Sequence, residues 1–310
     1  MNARSLGRPG WVAASPETPL FLLAASLALL LAISGARALD AGAGGVLLLV
    51  AAVALIGLPH GGLDAWLAQR SGLVRSTRGL AAFHLLYLLA AGAVALLWLW
   101  QPTLTLAGFL LISAWHFAGD WPGLPAPLRA LTGIALLGLP AWLWGEPVAT
   151  VFAVLAGSGG GALAQALGAL GPAFALLLGL ALWRLRLQSS AVLELGALAA
   201  LALFTPPLLF FAVYFCALHS PRQLRLSLAN AAPAQRRSLL FQAVAYAALA
   251  ALLVVLAGLA AAAVGEGMRV WLAQFDAERG LRLLFIGLAA LTVPHMGVAW
   301  LAARRSSELA

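Results

Sequence analysis

Long apolar runs recur along the whole of this chain, and they constrain its fold more than any other feature. They occupy residues 20–36, 44–59, 80–100, 104–117, 128–144, 162–183, 239–264 and 281–302. A helix rises about 1.5 Å per residue and bilayer hydrocarbon is about 30 Å thick, so roughly 20 apolar residues cross it. The runs are continuous, whereas the strands of a membrane β-barrel alternate over about ten residues. Composition agrees, with 63% of the 310 residues hydrophobic and 9% charged. Soluble domains sit near 45–50% and about 25%. A water-soluble core of this size could not hide so much apolar side chain, and disorder needs low hydrophobicity. The sequence therefore predicts an all-α fold, a polytopic integral membrane bundle of about 8–10 transmembrane helices, as a single transmembrane domain over residues 1–310.

The run at 191–218 is long for one span and short for two, and Thr205-Pro206-Pro207 interrupts it. Proline lacks a backbone donor, so the choice is one kinked helix or two short ones. Loop charge separates the two, because cytoplasmic loops collect arginine and lysine. The net charge is +8, and all 18 basic residues are arginine. They are too few and too scattered for a nucleic-acid surface. With two short helices, Arg4 and Arg8, Arg70, Arg75 and Arg78, Arg184 and Arg186, Arg222, Arg225, Arg236 and Arg237, and Arg304 and Arg305 all fall on one side. That scheme gives ten spans in the cell (cytoplasmic) membrane with both termini inside, and Arg269 and Arg279, which would lie outside, count against it. Arg4 and Arg8 before an apolar run, with Ala36-Arg37-Ala38 after it, also suit a cleaved signal peptide. A first span is the simpler reading. Gly-Ser-Gly-Gly-Gly at 157–161 reads as a flexible loop, and it follows no strand, so it is no phosphate-binding loop. The single Cys216 excludes a disulfide framework.

Against so apolar a background the five histidines stand out: His60, His84, His116, His219 and His295. Ionisable residues inside a membrane are costly and usually functional. Four sit in polar punctuation near helix ends: Pro59-His60-Gly61-Gly62-Leu63-Asp64, His116-Phe117-Ala118-Gly119-Asp120, His219-Ser220-Pro221-Arg222-Gln223 and Pro294-His295-Met296. The ten-span topology brings all four to a similar depth, a layout suited to a metal inside a helix bundle. His60 and Asp64 are four apart, as are His116 and Asp120, and His219 and Gln223 repeat the interval. Such residues share a helix face. A metal-bound histidine commonly donates its other N–H to a carboxylate, so Asp64 and Asp120 are expected to orient His60 and His116, provided the helix persists through the glycines. Imidazole suits Zn, Cu, Fe and Ni. No H-E-x-x-H occurs, which leaves metalloprotease chemistry unsupported. Sequence alone does not separate Fe(II) with positions open for O₂ from zinc. Nor does it exclude helix-end histidines bonded to carbonyls, a His-lined transporter or metal channel, or a haem held by paired histidines. His84, with no acid nearby, reads as structural, and Glu194 as a residue near a helix start. Tyr214 either faces the site or packs, and most of the 11 tryptophans read as membrane-interface residues.

These motifs resemble the Brp/Blh family of bacterial and archaeal membrane β-carotene 15,15′-dioxygenases. The resemblance rests on Pro59-His60-Gly61 with Asp64, Ser113-x-x-His116-Phe117 with Asp120, Tyr214-Phe215 with His219-Ser220-x-Arg222, and Pro294-His295-Met296. They occur in the family's order and span residues 59–296. The resemblance implies a non-haem Fe(II) enzyme that uses O₂ to cleave the central double bond of β-carotene, or a related carotenoid, giving retinal that could supply a rhodopsin. It implies iron ligands at His60, His116 and His219, with Asp64 and Asp120 in supporting roles. The family usually has a second histidine four residues after His219, where this chain has Gln223. Gln223, His295 or water then stands as the fourth ligand, and a paralogue that forms no retinal is an alternative.

Overall fold

The computed structural model describes residues 15–34, 43–184, 190–229, 231–264 and 275–308. Arg4, Arg8, the Ala36-Arg37-Ala38 site, Arg186 and Arg269 lie outside the described residues. The elements are helical: α1 Thr18–Ile33, α2 Ala43–Ala52, α3 Asp64–Arg70, α4 Thr77–Trp100, α5 Pro102–Ala118, α6 Ala126–Leu143 and α7 Gly145–Ala156. They continue with α8 Gly159–Ala169, α9 Gly171–Arg184, α10 Ser190–Phe204, α11 Pro207–Tyr214, α12 Ser220–Ala229, α13 Pro233–Val264 and α14 Ala277–Glu308. Among the described residues, six helical stretches are long and apolar enough to cross a membrane, and four shorter apolar helices join them. The all-α membrane bundle expected from the sequence is the fold observed.

Local chemistry sets the boundaries. Ser76 caps α4, its hydroxyl accepting the Gly79 N–H at 3.1 Å, which satisfies one of the donors a helix start leaves free. Pro102 opens α5, where its missing N–H costs nothing. The apolar run at 191–218 is two helices, broken at Thr205-Pro206, as the two-helix scheme requires. One helix is added to the expected set and one expectation is corrected. Residues 145–156 form α7, which at 12 residues is too short to announce itself as a span. The 157–161 stretch is no extended loop, because α8 already begins at Gly159 and only Gly157 and Ser158 turn the chain. Gly157 has φ +68°, a conformation that favours glycine.

Two elements depart from α geometry, and both lead directly into motif residues. Val53–Gly57 is a π-turn, followed by the 3₁₀ segment Leu58–Leu63 that carries His60. Phe215–His219 is a second π-turn, and it ends on His219. Such turns shift a helix face and are frequent at functional sites. The two lie against each other. The Ser220 hydroxyl donates to the Gly57 carbonyl at 2.8 Å, and the Cys216 thiol lies 3.5 Å from the Ala52 carbonyl. Gly57 is required by this contact, since a Cβ there would lie 2.3 Å from the Phe215 ring. Helix α13 presses on the same segment: a Cβ at Gly62 would meet the Ala243 carbonyl at 2.3 Å.

Candidate metal centre

His60, His116 and His219 converge, each offering a nitrogen within 4.8 Å of the others. Their ring centroids lie 4.7 to 6.0 Å apart. His295, from α14, closes the group, 5.4 Å from His60 and 5.2 Å from His116 between ring centroids. The four histidines of the motifs thus meet from four parts of the chain. His84 is not among them.

The hydrogen bonds fix the tautomers. His60 Nδ1 lies 2.7 Å from the Gly57 carbonyl, which can only accept, so Nδ1 carries the proton and Nε2 keeps its lone pair. His219 Nδ1 donates to both oxygens of Asp120, at 3.0 and 3.1 Å. His295 Nδ1 donates to Asp64 Oδ1 at 2.8 Å. The Nε2 atoms of His116 and His219 are buried and make no hydrogen bond among the described residues. A buried nitrogen with no partner is costly, and a cluster of such lone pairs is what a divalent metal requires. The donor set fits Fe(II) with room for a further ligand.

The aspartates do not serve the histidines that precede them. The sequence pairs Asp64 with His60 and Asp120 with His116; in the fold Asp64 orients His295 and Asp120 orients His219. The reason is local geometry. The Leu58–Leu63 segment is a 3₁₀ helix with about three residues per turn, which puts positions four apart on different faces. After His116, α5 ends at Ala118 and the chain turns, the Asp120 N–H bonding the Phe117 carbonyl at 3.0 Å. Each carboxylate also accepts a tyrosine hydroxyl: Tyr87 on Asp64 at 2.8 Å and Tyr214 on Asp120 at 2.5 Å. His219 and His295 therefore stand at the ends of two equivalent Tyr–Asp–His chains. Gln223 Nε2 donates to Asp120 Oδ1 at 2.7 Å, so its amide nitrogen supports the carboxylate of His219.

Glu194 lies near the start of α10 as expected, but it is buried, 1% exposed, and bonded on every side. Arg222 grips it at 2.6 and 3.1 Å, Trp121 donates at 2.8 Å and Thr18 at 2.5 Å. Arg222 also donates to the Asp120 backbone carbonyl at 2.9 Å, which ties this buried pair to the carboxylate of His219. At the surface end Glu17 pairs with Arg225 and Ser15. Two tryptophans, Trp98 and Trp121, are internal. Trp98 donates to the Leu155 carbonyl and the half-buried Trp144 to the Ala202 carbonyl. Others, such as Trp100 and Trp183, are well exposed.

A cavity of about 390 Å³ opens from the histidines. His60, His116 and His295 line it, with apolar and aromatic side chains from α4, α5, α11, α13 and α14. On its wall His84 Nδ1 donates to the Leu80 carbonyl at 2.8 Å, so its Nε2 accepts the Tyr246 hydroxyl at 2.9 Å. All three tyrosines of the chain thus bond at the site or its cavity. Tyr87 and Tyr246 escaped the sequence reading, although the rarity of tyrosine was a usable signal.

The chain's relatives carry the same chemistry in their names. The family model described as β-carotene 15,15′-dioxygenase matches residues 51–302. The β-carotene 15,15′-dioxygenase of uncultured marine bacterium 66A03 is 32% identical over 268 residues, covering 80% of this chain and 90% of that protein. A probable β-carotene 15,15′-dioxygenase, Blh, of Halobacterium salinarum is 29% identical over 289 residues, covering 81% of this chain and 82% of that protein. No solved structure matches. With most of its length matched, this chain belongs to the β-carotene 15,15′-dioxygenase family.

Proposed function

We propose that this chain is a membrane-embedded, Fe(II)-dependent dioxygenase that cleaves β-carotene at its central double bond with O₂ to give retinal. The observation that carries the reading is the convergence of His60, His116 and His219, two of them with unpartnered buried nitrogens, with His295 beside them at an apolar cavity. His60, His116, His219 and His295 would hold the metal. Fe(II) bound there supplies the means to bind and activate O₂.

The chain's own residues do the rest. The Tyr214–Asp120 and Tyr87–Asp64 pairs hold His219 and His295 in one tautomer and one orientation, and the carboxylates raise the basicity of both rings. The Gly57 carbonyl does the same for His60. Asp64 and Asp120 are each engaged by a tyrosine and a histidine and act as positioning residues, not as acids or bases. The reaction needs none: one O₂ and one C=C give two aldehydes, with every atom accounted for and no proton added. The cavity offers the polyene a largely apolar bed and keeps water from the reacting carbons. Orientation in such a bed selects one double bond among many similar ones. The protein sits in the cell membrane with both termini inside, takes its substrate from the bilayer and releases retinal to a rhodopsin.

The test is expression in cells that accumulate β-carotene, with the intact chain and with His116→Ala. Bleaching and retinal are expected only with the intact chain, which should bind iron stoichiometrically after anaerobic reconstitution. Persisting colour with iron bound overturns the substrate, and absence of iron overturns the ligand set.

A further inference from the structure

One wall of the cavity is a strip of mostly small residues at helical spacing: Leu88, Ala91, Gly92 and Ala95 line it from α4. From α13 the lining mixes sizes, Ala250 and Ala257 with Leu249, Leu253 and Val254. Residues three and four apart share a face, so α4 lays a smooth strip along the cavity. The α4 strip begins beside the histidines, at Tyr87, whose hydroxyl meets the Asp64 that orients His295. It runs eight residues to Ala95, ~12 Å along the helix axis. One turn further, Trp98 is 2% exposed and pinned through its indole N–H to the Leu155 carbonyl at 3.0 Å.

Aromatic rings line the cavity as well, Phe109, Phe211 and Phe215, and Trp98 and Phe285 extend the series outside the lining. From Trp98, ring follows ring: Phe109 at 6.2 Å, Phe285 at 6.5 Å, Phe211 at 6.0 Å and Phe215 at 5.2 Å, and Phe215 then stacks on His219 at 5.2 Å between centroids. An unbroken series of rings thus joins the far end of the limb to the metal centre. A flat conjugated chain between a smooth strip and ring faces gains dispersion contact and meets no polar demand along the way.

We propose that this limb, from Tyr87 to Ala95 with Trp98 as its floor, seats one half of the carotenoid, and that its depth selects the bond cleaved. The inference rests on the carotenoid reading of the cavity. A limb of this length takes half of the polyene and not the whole. The seated half slides until its end ring meets the floor, and the bond then lying at the histidines is the one cut. Filling the limb pushes that ring outward, so that a bond nearer to it reaches the centre.

The test uses Gly92→Phe and Ala95→Phe in the full-length chain, in membranes containing β-carotene, with aldehyde products separated and bound iron measured in parallel. A Cβ at Gly92 meets no atom within 4 Å, so Gly92→Phe grows into open space. Gly108→Phe is the control, because Gly108 has equal room and lies outside the cavity wall. Should Ala95→Phe fail to accumulate, Ala95→Leu probes the same limb with less bulk. A displacement of about 1 Å costs roughly a hundredfold in rate. Retinal formation is therefore expected to fall by about that factor in both variants, with a short and a long aldehyde appearing in its place. Iron should stay at the wild-type level, and Gly108→Phe should behave as wild type. Retinal as the sole product at the wild-type rate overturns the proposal, and so does loss of all cleavage with iron retained, since a depth gauge predicts displaced cleavage. A wild-type chain that makes no retinal overturns the functional reading itself, whereas retinal from wild type with unshifted variants overturns the limb alone.

Discussion

Each aspartate in the site orients a histidine that arrives from elsewhere in the chain, and this exchange decides what Gln223 does. Asp120 accepts from Tyr214, His219 and Gln223, and a carboxylate cannot donate, so the Gln223 amide turns its N–H₂ inward. His295 has the same Tyr–Asp support as His219 and lies as near the other rings. We therefore propose His295, which lies beside the His60–His116–His219 group, as the fourth ligand, and the two residues should part under mutation. His295→Ala is expected to abolish stoichiometric iron. Gln223→Leu should keep iron at saturating metal, with affinity weakened about tenfold, the lower range for a residue that supports a ligand. Anaerobic iron titration of both variants measures this, and the reverse order would make Gln223 the ligand. The sequence named the histidines and aspartates because polar residues are so rare in this chain. It did not give their pairing, since an interval of four means a shared face only on an α-helix, and neither Asp64 nor Asp120 stands on an unbroken α-helix with its histidine.

At the level of elements, the site depends on turns that helical periodicity does not reveal. The π-turns before His60 and His219 leave no mark on an apolar run. The break at Thr205-Pro206 was legible, because proline ends a helix for a stated reason. What holds α1, α10 and α12 together was not, because Glu194 and Arg222 are far apart in sequence and pair only in the fold. With both charges buried, the pair's effect on stability shows when one partner is lost. Glu194→Ala removes the nearest carboxylate from the Arg222 guanidinium and leaves it only Glu17, at 3.9 Å, among the described residues; breaking a buried pair typically costs about 3–5 kcal/mol. The double variant Glu194→Leu with Arg222→Met removes both charges and is expected to recover much of that loss. Thermal unfolding in detergent would compare the three proteins. A double variant no more stable than Glu194→Ala would show that the Arg222 bond to the Asp120 carbonyl matters more than the ion pair.

The whole molecule presents large apolar side chains to its surroundings over most of its helices, among them Leu86 and Leu96 on α4 and Phe241 and Leu252 on α13. These two helices also line the cavity, so its lining and the lipid-facing surface share the same elements. The Tyr246–His84 hydrogen bond joins them across the gap. A ligand insoluble in water would pass between them from the bilayer without meeting the aqueous phase, and the concentration the protein senses would then be that in the lipid. In proteoliposomes holding a fixed total amount of β-carotene, adding carotenoid-free lipid to the same vesicles should lower the initial rate in proportion to the fall in mole fraction, below saturation. An entry route from water would make the rate follow the total concentration, and dilution by lipid would then change it little. The measurement needs only the rate of colour loss at several lipid-to-carotenoid ratios with protein held constant. A flat response would place the entrance on an aqueous face of the bundle and not between α4 and α13.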